Sequence, residues 1–270
     1  MKNIMTGNLI IKLILGTLIF IFLTYIFSGC GILQRRYEKT ETKEYKITTT
    51  GKNKVIVNNK NGNINVTKNT KDSLIYINAE ITSYLTKKEL DESKKINDLN
   101  IDTISSEIRI SGIQNVQEKR FFNFFKKSEN INYTIYLPSG IDFEVENVNG
   151  KFEASNVLNS LSGDIVNGSV KLENTNGKLK FDVTNGKIKA ELDSTEGINF
   201  DIVNGNVEMN LSPSFSGKFK ADWVNGSINY ENFSFQNIVK EKKSFTGQLG
   251  ISGKEVIISI VNGNIKLFNK

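Results

Sequence analysis

Few residue types in this chain could carry chemistry. Among 270 residues there is no histidine and one cysteine, Cys30. Without histidine there is no Ser-His-Asp triad, no Cys-His pair, no imidazole base and no His-ligated metal. One cysteine excludes an internal disulfide and any multi-Cys zinc or iron–sulfur site. Lysine and serine are too scattered for a Ser-Lys dyad to be picked out. The remaining candidates are carboxylates. Asp142, Asp164, Asp182, Asp201 and Asp222 occur ahead of Asn-Gly pairs, at intervals reminiscent of calcium-binding repeats. Such repeats place an Asp in nearly every turn to ligate the ion. The corresponding places here hold Lys, Asn or Glu, so a solvated polar face is expected, with no metal and no cofactor. A polysaccharide-active enzyme working with Asp and Lys alone would need several carboxylates converging on one groove.

The thiol of Cys30 has a different use. Lys2 and Lys12 precede an uncharged run from Leu13 to Phe27, rich in Ile, Leu and Phe. Fifteen residues fall short of the roughly 20 that span a bilayer, but suit the apolar core of an export signal. Phe27-Ser28-Gly29-Cys30 follows and resembles the bacterial lipobox, in which the cysteine is lipidated and becomes the new N-terminus. Residues 1–29 are therefore expected to be a lipoprotein signal, and 30–43 a lipidated end and polar linker. The alternative is an uncleaved anchor running through Leu33 and stopping before Arg35-Arg36. Either way the rest of the chain is exported and held at a membrane.

Charge narrows the partners. Lys and Arg number 35 against 29 Asp and Glu, and loss of Lys2 and Lys12 leaves a net +4. The excess is spread out, whereas nucleic-acid binding wants a clustered basic face, and none is expected. One local cluster stands apart: Phe121, Phe122, Phe124 and Phe125, flanked by Lys119, Arg120, Lys126 and Lys127. It reads either as a plug over an open end of a β stack or as a contact loop for lipid or an anionic polymer. The single tryptophan, Trp223, sits at a repeat position and is expected to pack in the core or a corner.

A repeat positions everything else. Asn-Gly recurs with glycines at Gly62, Gly150, Gly168, Gly177, Gly186, Gly205, Gly226 and Gly263. Most pairs follow a β-branched residue and precede alternating apolar residues, as in Val166-Asn167-Gly168-Ser169-Val170-Lys171-Leu172. Successive glycines from Gly150 to Gly226 differ by 18, 9, 9, 19 and 21, implying a unit near nine or a full turn near 18 to 20. Alternation at period two describes strands with one face inside, and Asn and Gly both tolerate positive φ at a sharp turn. Two architectures fit: an all-β solenoid, like a right-handed parallel β-helix with Asn-Gly corners, or stacked antiparallel hairpins. The solenoid better explains matched flanks, because asparagine amides would bond up and down the stack. Residues 44–270 then form one β-repeat domain. Thr86 and Glu89 are spaced as a capping box, marking a short helix within 86–97.

Ile64 and Val66 after Asn61-Gly62, the run Ile75-Tyr76-Ile77-Asn78-Ala79, Tyr136-Leu137-Pro138-Ser139-Gly140 and the Val-Asn-Gly series resemble the toast-rack family. These are bacterial β-strand-repeat domains, often labelled adhesins. The resemblance covers roughly Tyr45 to Lys270. It implies an elongated all-β fold, an envelope location and no catalytic residues. The expected function is a non-enzymatic envelope lipoprotein, anchored through Cys30, whose repeat surface binds a protein or polysaccharide. The alternative is a periplasmic scaffold or stress-sensing component.

Overall fold

The computed structural model describes residues 36–92, 98–112, 129–251 and 253–269. The apolar N-terminal run, Cys30 and the loop bearing Phe121, Phe122, Phe124, Phe125, Lys126 and Lys127 lie outside the described residues. Two compact units are formed. Among the described residues the smaller draws on 36–38 and 84–92, and the larger on 39–83, 98–112, 129–251 and 253–269. In the smaller unit the helix α1 (Lys87–Asp91) starts at a complete capping box: the Glu89 backbone N–H donates to Thr86 Oγ1, and the Thr86 N–H donates to Glu89 Oε2.

The larger unit holds a 15-stranded sheet. The N-terminal strands are β1 (Tyr37–Ile47), β2 (Lys54–Asn61), β3 (Ile64–Lys68), β4 (Ile75–Leu85), β5 (Leu99–Asp102), β6 (Glu107–Gly112) and β7 (Asn130–Leu137). The repeat block follows as β8 (Asp142–Ser155), β9 (Leu161–Glu173), β10 (Lys178–Leu192), β11 (Gly197–Leu211) and β12 (Gly217–Tyr230). The chain ends with β13 (Gln236–Lys240), β14 (Ser244–Leu249) and β15 (Glu255–Asn269).

Each long strand has two arms. In β10 the buried residues are Leu179, Phe181 and Val183, then Ile188, Ala190 and Leu192. The buried set switches from odd to even numbers across Asn185-Gly186. Alternation alone would turn the second set outward, so the strand must bend there for both arms to face one core. They do face each other: the rings of Phe143 on the first arm of β8 and Phe152 on its second stack at 5.8 Å. Phe181 and Phe200 continue this interior row.

The long strands pair in parallel, β8-β9-β10-β11-β15-β12, with Asn-Gly in mid-strand, so this block is a coil stack and not a set of two-residue hairpins. One coil takes 18 or 19 residues from bend to bend. Gly177 belongs to the opposite turn, between β9 and β10, which accounts for the spacings of nine. β2 and β3 together form one further coil, bent at Asn61-Gly62 and paired with β8.

Chain order and stacking order differ at both ends. β15, the last strand, lies between β11 and β12, pairing in parallel with each. At the other end β2 lies between β6 and β8, and β3 between β7 and β8. Beyond these the pairing turns antiparallel: β4 on β7, β5 on β6, and β14 with β13 on β12. An aromatic group of Phe219, Tyr230, Phe235 and Phe245 packs under β14, with ring centroids 5.1–5.3 Å apart. The edge strand β13 carries a register shift and Asn237 at φ 53°. Such irregularity blunts an edge that would otherwise recruit another strand.

At the bend, asparagine side chains form a continuous ladder. Asn149 Nδ2 donates to Asn61 Oδ1 (2.8 Å), Asn167 to Asn149 (3.1 Å), Asn185 to Asn167 (3.0 Å) and Asn204 to Asn185 (3.0 Å). Asn262 then donates to Asn204 and Asn225 to Asn262, both at 2.8 Å. From Gly150 onward, the glycine after each ladder asparagine lies against the carbonyl of the glycine in the neighbouring coil, while Gly62 lies against the Ile131 carbonyl. At Gly186, φ is 157°, and a Cβ would overlap the Gly168 carbonyl.

Two outcomes follow for stability. Gly186→Ala should cost about 3 kcal/mol or more, while Gly253→Ala, with open space around its Cβ, should stay near wild type; urea melts compare them. Asn185→Ala removes an amide bonded on both sides and should cost about 1–2 kcal/mol, whereas Asn225→Ala, at the ladder's end, should cost about half that.

Candidate functional site

The bend sets outward side chains into rows that run from coil to coil. Immediately before the asparagine stand Val148, Val166, Thr184, Val203, Val261 and Val224, and all five valines are exposed. Isolated exposed valines are ordinary, but a stripe of them along one face is not. Two residues earlier on the same face comes a second row: Glu146, Asp164, Asp182, Asp201, Ser259 and Asp222, each paired in register with the next. Parallel strands place these groups about 4.8 Å apart. Asp142 falls outside the row, at the start of β8, where it accepts from the Ser160 N–H (3.2 Å).

Where β10, β11, β15 and β12 meet on this face, a groove of about 590 Å³ opens. Asp182, Asp201 and Asp222 lie along it, with Val203, Val224 and Val261 beside them. Trp223, 7% exposed, lies in the inward row of Val183, Ile202 and Ile260 and forms part of the groove's floor. Lys243 reaches in from between β13 and β14, and its ammonium donates to the Val224 carbonyl.

Charges on the two arms are handled differently. On the outer face of the second arm, lysines and glutamates neutralise one another: Lys171–Glu173 at 2.5 Å and Lys189–Glu208 at 2.9 Å. Hydrogen bonding from Lys189 holds the Glu208 carboxyl below its ordinary range. On the first arm Asp222 has Lys220 at 3.9 Å, while Asp164, Asp182 and Asp201 make no ion pair among the described residues. Asp182 is pushed up, first by burial, then by the charges of Asp201 and Asp164, against a smaller opposing pull from Lys180. The field at Asp182 is thus negative, and a positive group would be welcome there.

The three groove carboxylates stand in one row, with Ser259 between Asp201 and Asp222. Acid–base cleavage of a glycosidic bond needs two carboxyl groups flanking the bond, an arrangement that a single row does not provide. Among the described residues no group of three or more His, Cys, Asp or Glu is placed to hold a metal ion. Sequence reasoning had the aspartates but not their row. The signal was there, as an acidic residue falls three positions before the asparagine at five of the seven bends.

Because Asp182 titrates higher folded than unfolded, the folded state binds the extra proton as pH falls. Its ionised form therefore weakens folding above the carboxylate range, and the penalty fades on acidification. Asp182→Asn should raise the denaturation midpoint at pH 7, with the gain shrinking as pH falls through the carboxylate range in denaturant titrations.

Comparison with known proteins places the fold. Among solved structures, one described as a "putative cell adhesion protein" from Clostridium sporogenes is 16% identical, covering 86% of this chain and 100% of its own, with a TM-score of 0.47. A "putative adhesin" from Bacteroides fragilis is 12% identical over 85% of this chain and 97% of its own, TM-score 0.30. A "putative lipid binding protein" from Parabacteroides distasonis is 11% identical over 86% and 97%, TM-score 0.27. No curated protein matches. The Toastrack DUF4097 family model matches residues 24–268, the bent coils and both antiparallel ends included, and the chain belongs to that family.

Proposed function

We propose that this protein is a non-enzymatic lipoprotein of the cell envelope that displays its coil stack as a binding face for adhesion. The observation that carries this is the first arm's outer surface, where an unbroken asparagine row runs beside a valine row, interrupted at Thr184, and an acidic row, interrupted at Ser259. Main-chain pairing and the asparagine ladder hold that face rigid, so a partner meets groups already in place and little ordering entropy is lost on contact. Anchoring rests on the sequence: an apolar run, Ser28-Gly29 and then Cys30. The polar residues after Cys30 would lift the domain off the lipid surface. Among the described residues no helix is long and apolar enough to cross a membrane.

Two measurements test this. Metabolic labelling with a fatty acid should mark the wild-type chain and not Cys30→Ala, which should leave the membrane fraction; a Cys30→Ala chain still lipidated would end the anchoring claim. Beads or cells carrying the full chain should adhere to purified envelope or host matrix. Val166→Lys/Val203→Lys, surface changes that spare the core, should cut that adhesion at least fivefold. Unchanged adhesion would remove the first-arm face from the function.

A further inference from the structure

We infer that Asn176-Gly177 is a self-modification site, where the chain deamidates through a succinimide while the Asn-Gly pairs of the ladder are protected. The sequence supplies an internal control. Thr175-Asn176-Gly177-Lys178 and Thr184-Asn185-Gly186-Lys187 are the same tetrapeptide. Local sequence therefore gives the two asparagines equal intrinsic reactivity, and any difference between them belongs to the fold.

The reaction needs a side chain free to swing its Cγ toward the next residue, an available glycine N–H, and water. Glycine helps by leaving its nitrogen unshielded by a side chain. That nitrogen loses its proton as it attacks Asn176 Cγ; the Cγ–Nδ2 bond breaks, and ammonia leaves carrying the proton. The succinimide ring then takes up one water, the only co-reactant. Opening at Cγ gives aspartate. Opening at the main-chain carbonyl gives isoaspartate, with the backbone rerouted through Cγ.

At Asn185 the fold blocks the approach. Its Nδ2 donates to Asn167 Oδ1 and its Oδ1 accepts from Asn204 Nδ2, both at 3.0 Å, so the carboxamide is held on two sides. Gly186 sits inside β10, in register with Gly168 in one neighbouring coil and Gly205 in the other. Swinging its nitrogen toward the side chain would break paired backbone. Asn225 is held less firmly. Its Nδ2 donates to Asn262 at 2.8 Å, but as the ladder's last member it receives no amide, and Gly226 is in register with Gly263 alone.

Asn176 is exposed, in the turn between β9 and β10 and outside both strands. Among the described residues its side chain makes no hydrogen bond, and the Gly177 N–H donates to nothing. Its carbonyl is tethered, accepting from the Glu196 N–H at 3.0 Å, which leaves the side chain free to turn. The turn also needs its glycine, because a Cβ at Gly177 would overlap the Asn159 carbonyl. The labile pair is thus kept by packing, and the age of the chain is written on the turn opposite the ladder, away from the bend and its rows.

The test incubates the full chain in detergent at pH 8 and follows each site over time by the masses of its tryptic peptides. Leu172–Lys178 reports Asn176, with fragment ions separating it from Asn174, and Phe181–Lys187 reports Asn185. In the folded chain Asn176 should lose its amide at least tenfold faster than Asn185, with Asn225 between them and isoaspartate appearing at position 176. In guanidinium the rates at Asn176 and Asn185 should come within twofold of each other. Asn176→Gln should abolish the first acidic species to build up on isoelectric focusing. Equal rates in the folded chain, a tenfold ratio that persists in guanidinium, or Asn185 reacting ahead of Asn225 would each overturn the inference. So would an early acidic species that still forms in Asn176→Gln.

Discussion

The close approach of backbone to backbone at the bend is the constraint on which the rest of this structure depends. Stacked glycines put the carbonyl of one coil where the next coil's Cβ would be, so no other residue fits that column. Only with the chains this close do the asparagine side chains reach Oδ1 to Nδ2 from coil to coil. The two features act together: glycine permits the bend and asparagine holds its spacing. A bent strand then folds both arms onto one core, and interior Phe, Ile and Val fill the gap with little polar intrusion. Two of the polar groups that do enter brace the backbone. Asn59 and Asn147 are buried beside the first bend, each donating a side-chain N–H, to Ile131 O at 3.0 Å and to Gly62 O at 3.0 Å.

Rows of like residues follow from the same constraint. When every coil bends at the same dipeptide, positions at a fixed offset from it must align, whatever their chemistry. The interior benefits, since Phe181 and Phe200 fall opposite each other. The exterior carries the cost, because identical charges also stack and repel along the row. On the second arm that cost is reduced by ion pairs, Lys171 with Glu173 and Lys189 with Glu208. On the first arm it is left in place between Asp164, Asp182 and Asp201, and broken only by Ser259.

Much of the fold was legible because its signals are local and repeated. Val-Asn-Gly with alternating flanks gives strand, bend and strand in one phrase, and Thr86 with Glu89 marks the start of α1. The phase switch of apolar residues across Asn185-Gly186 was also written in the sequence and identifies a bend within one strand. Stacking order was not legible. Nothing in residues 255–269 distinguishes a strand added at the end from one inserted between β11 and β12, since each coil offers the same edge. The antiparallel ends were hidden for a related reason: Phe219, Tyr230, Phe235 and Phe245 are spread over 27 positions and meet only through tertiary contact. The carboxylate row lay between these extremes, visible as an offset but meaningful only once parallel register was known.

Insertion of β15 ties folding to the candidate site. β11 and β12 do not pair with each other; each pairs with β15. Until residues 255–269 are in place, both present open edges, and an open edge next to a valine stripe is an aggregation hazard. The contacts that close this gap join residues up to 58 positions apart. The groove is lined by β10, β11, β15 and β12 together, and Ser259, Ile260 and Val261 come from the inserted strand. The groove is therefore completed by the same step that removes the exposed edges.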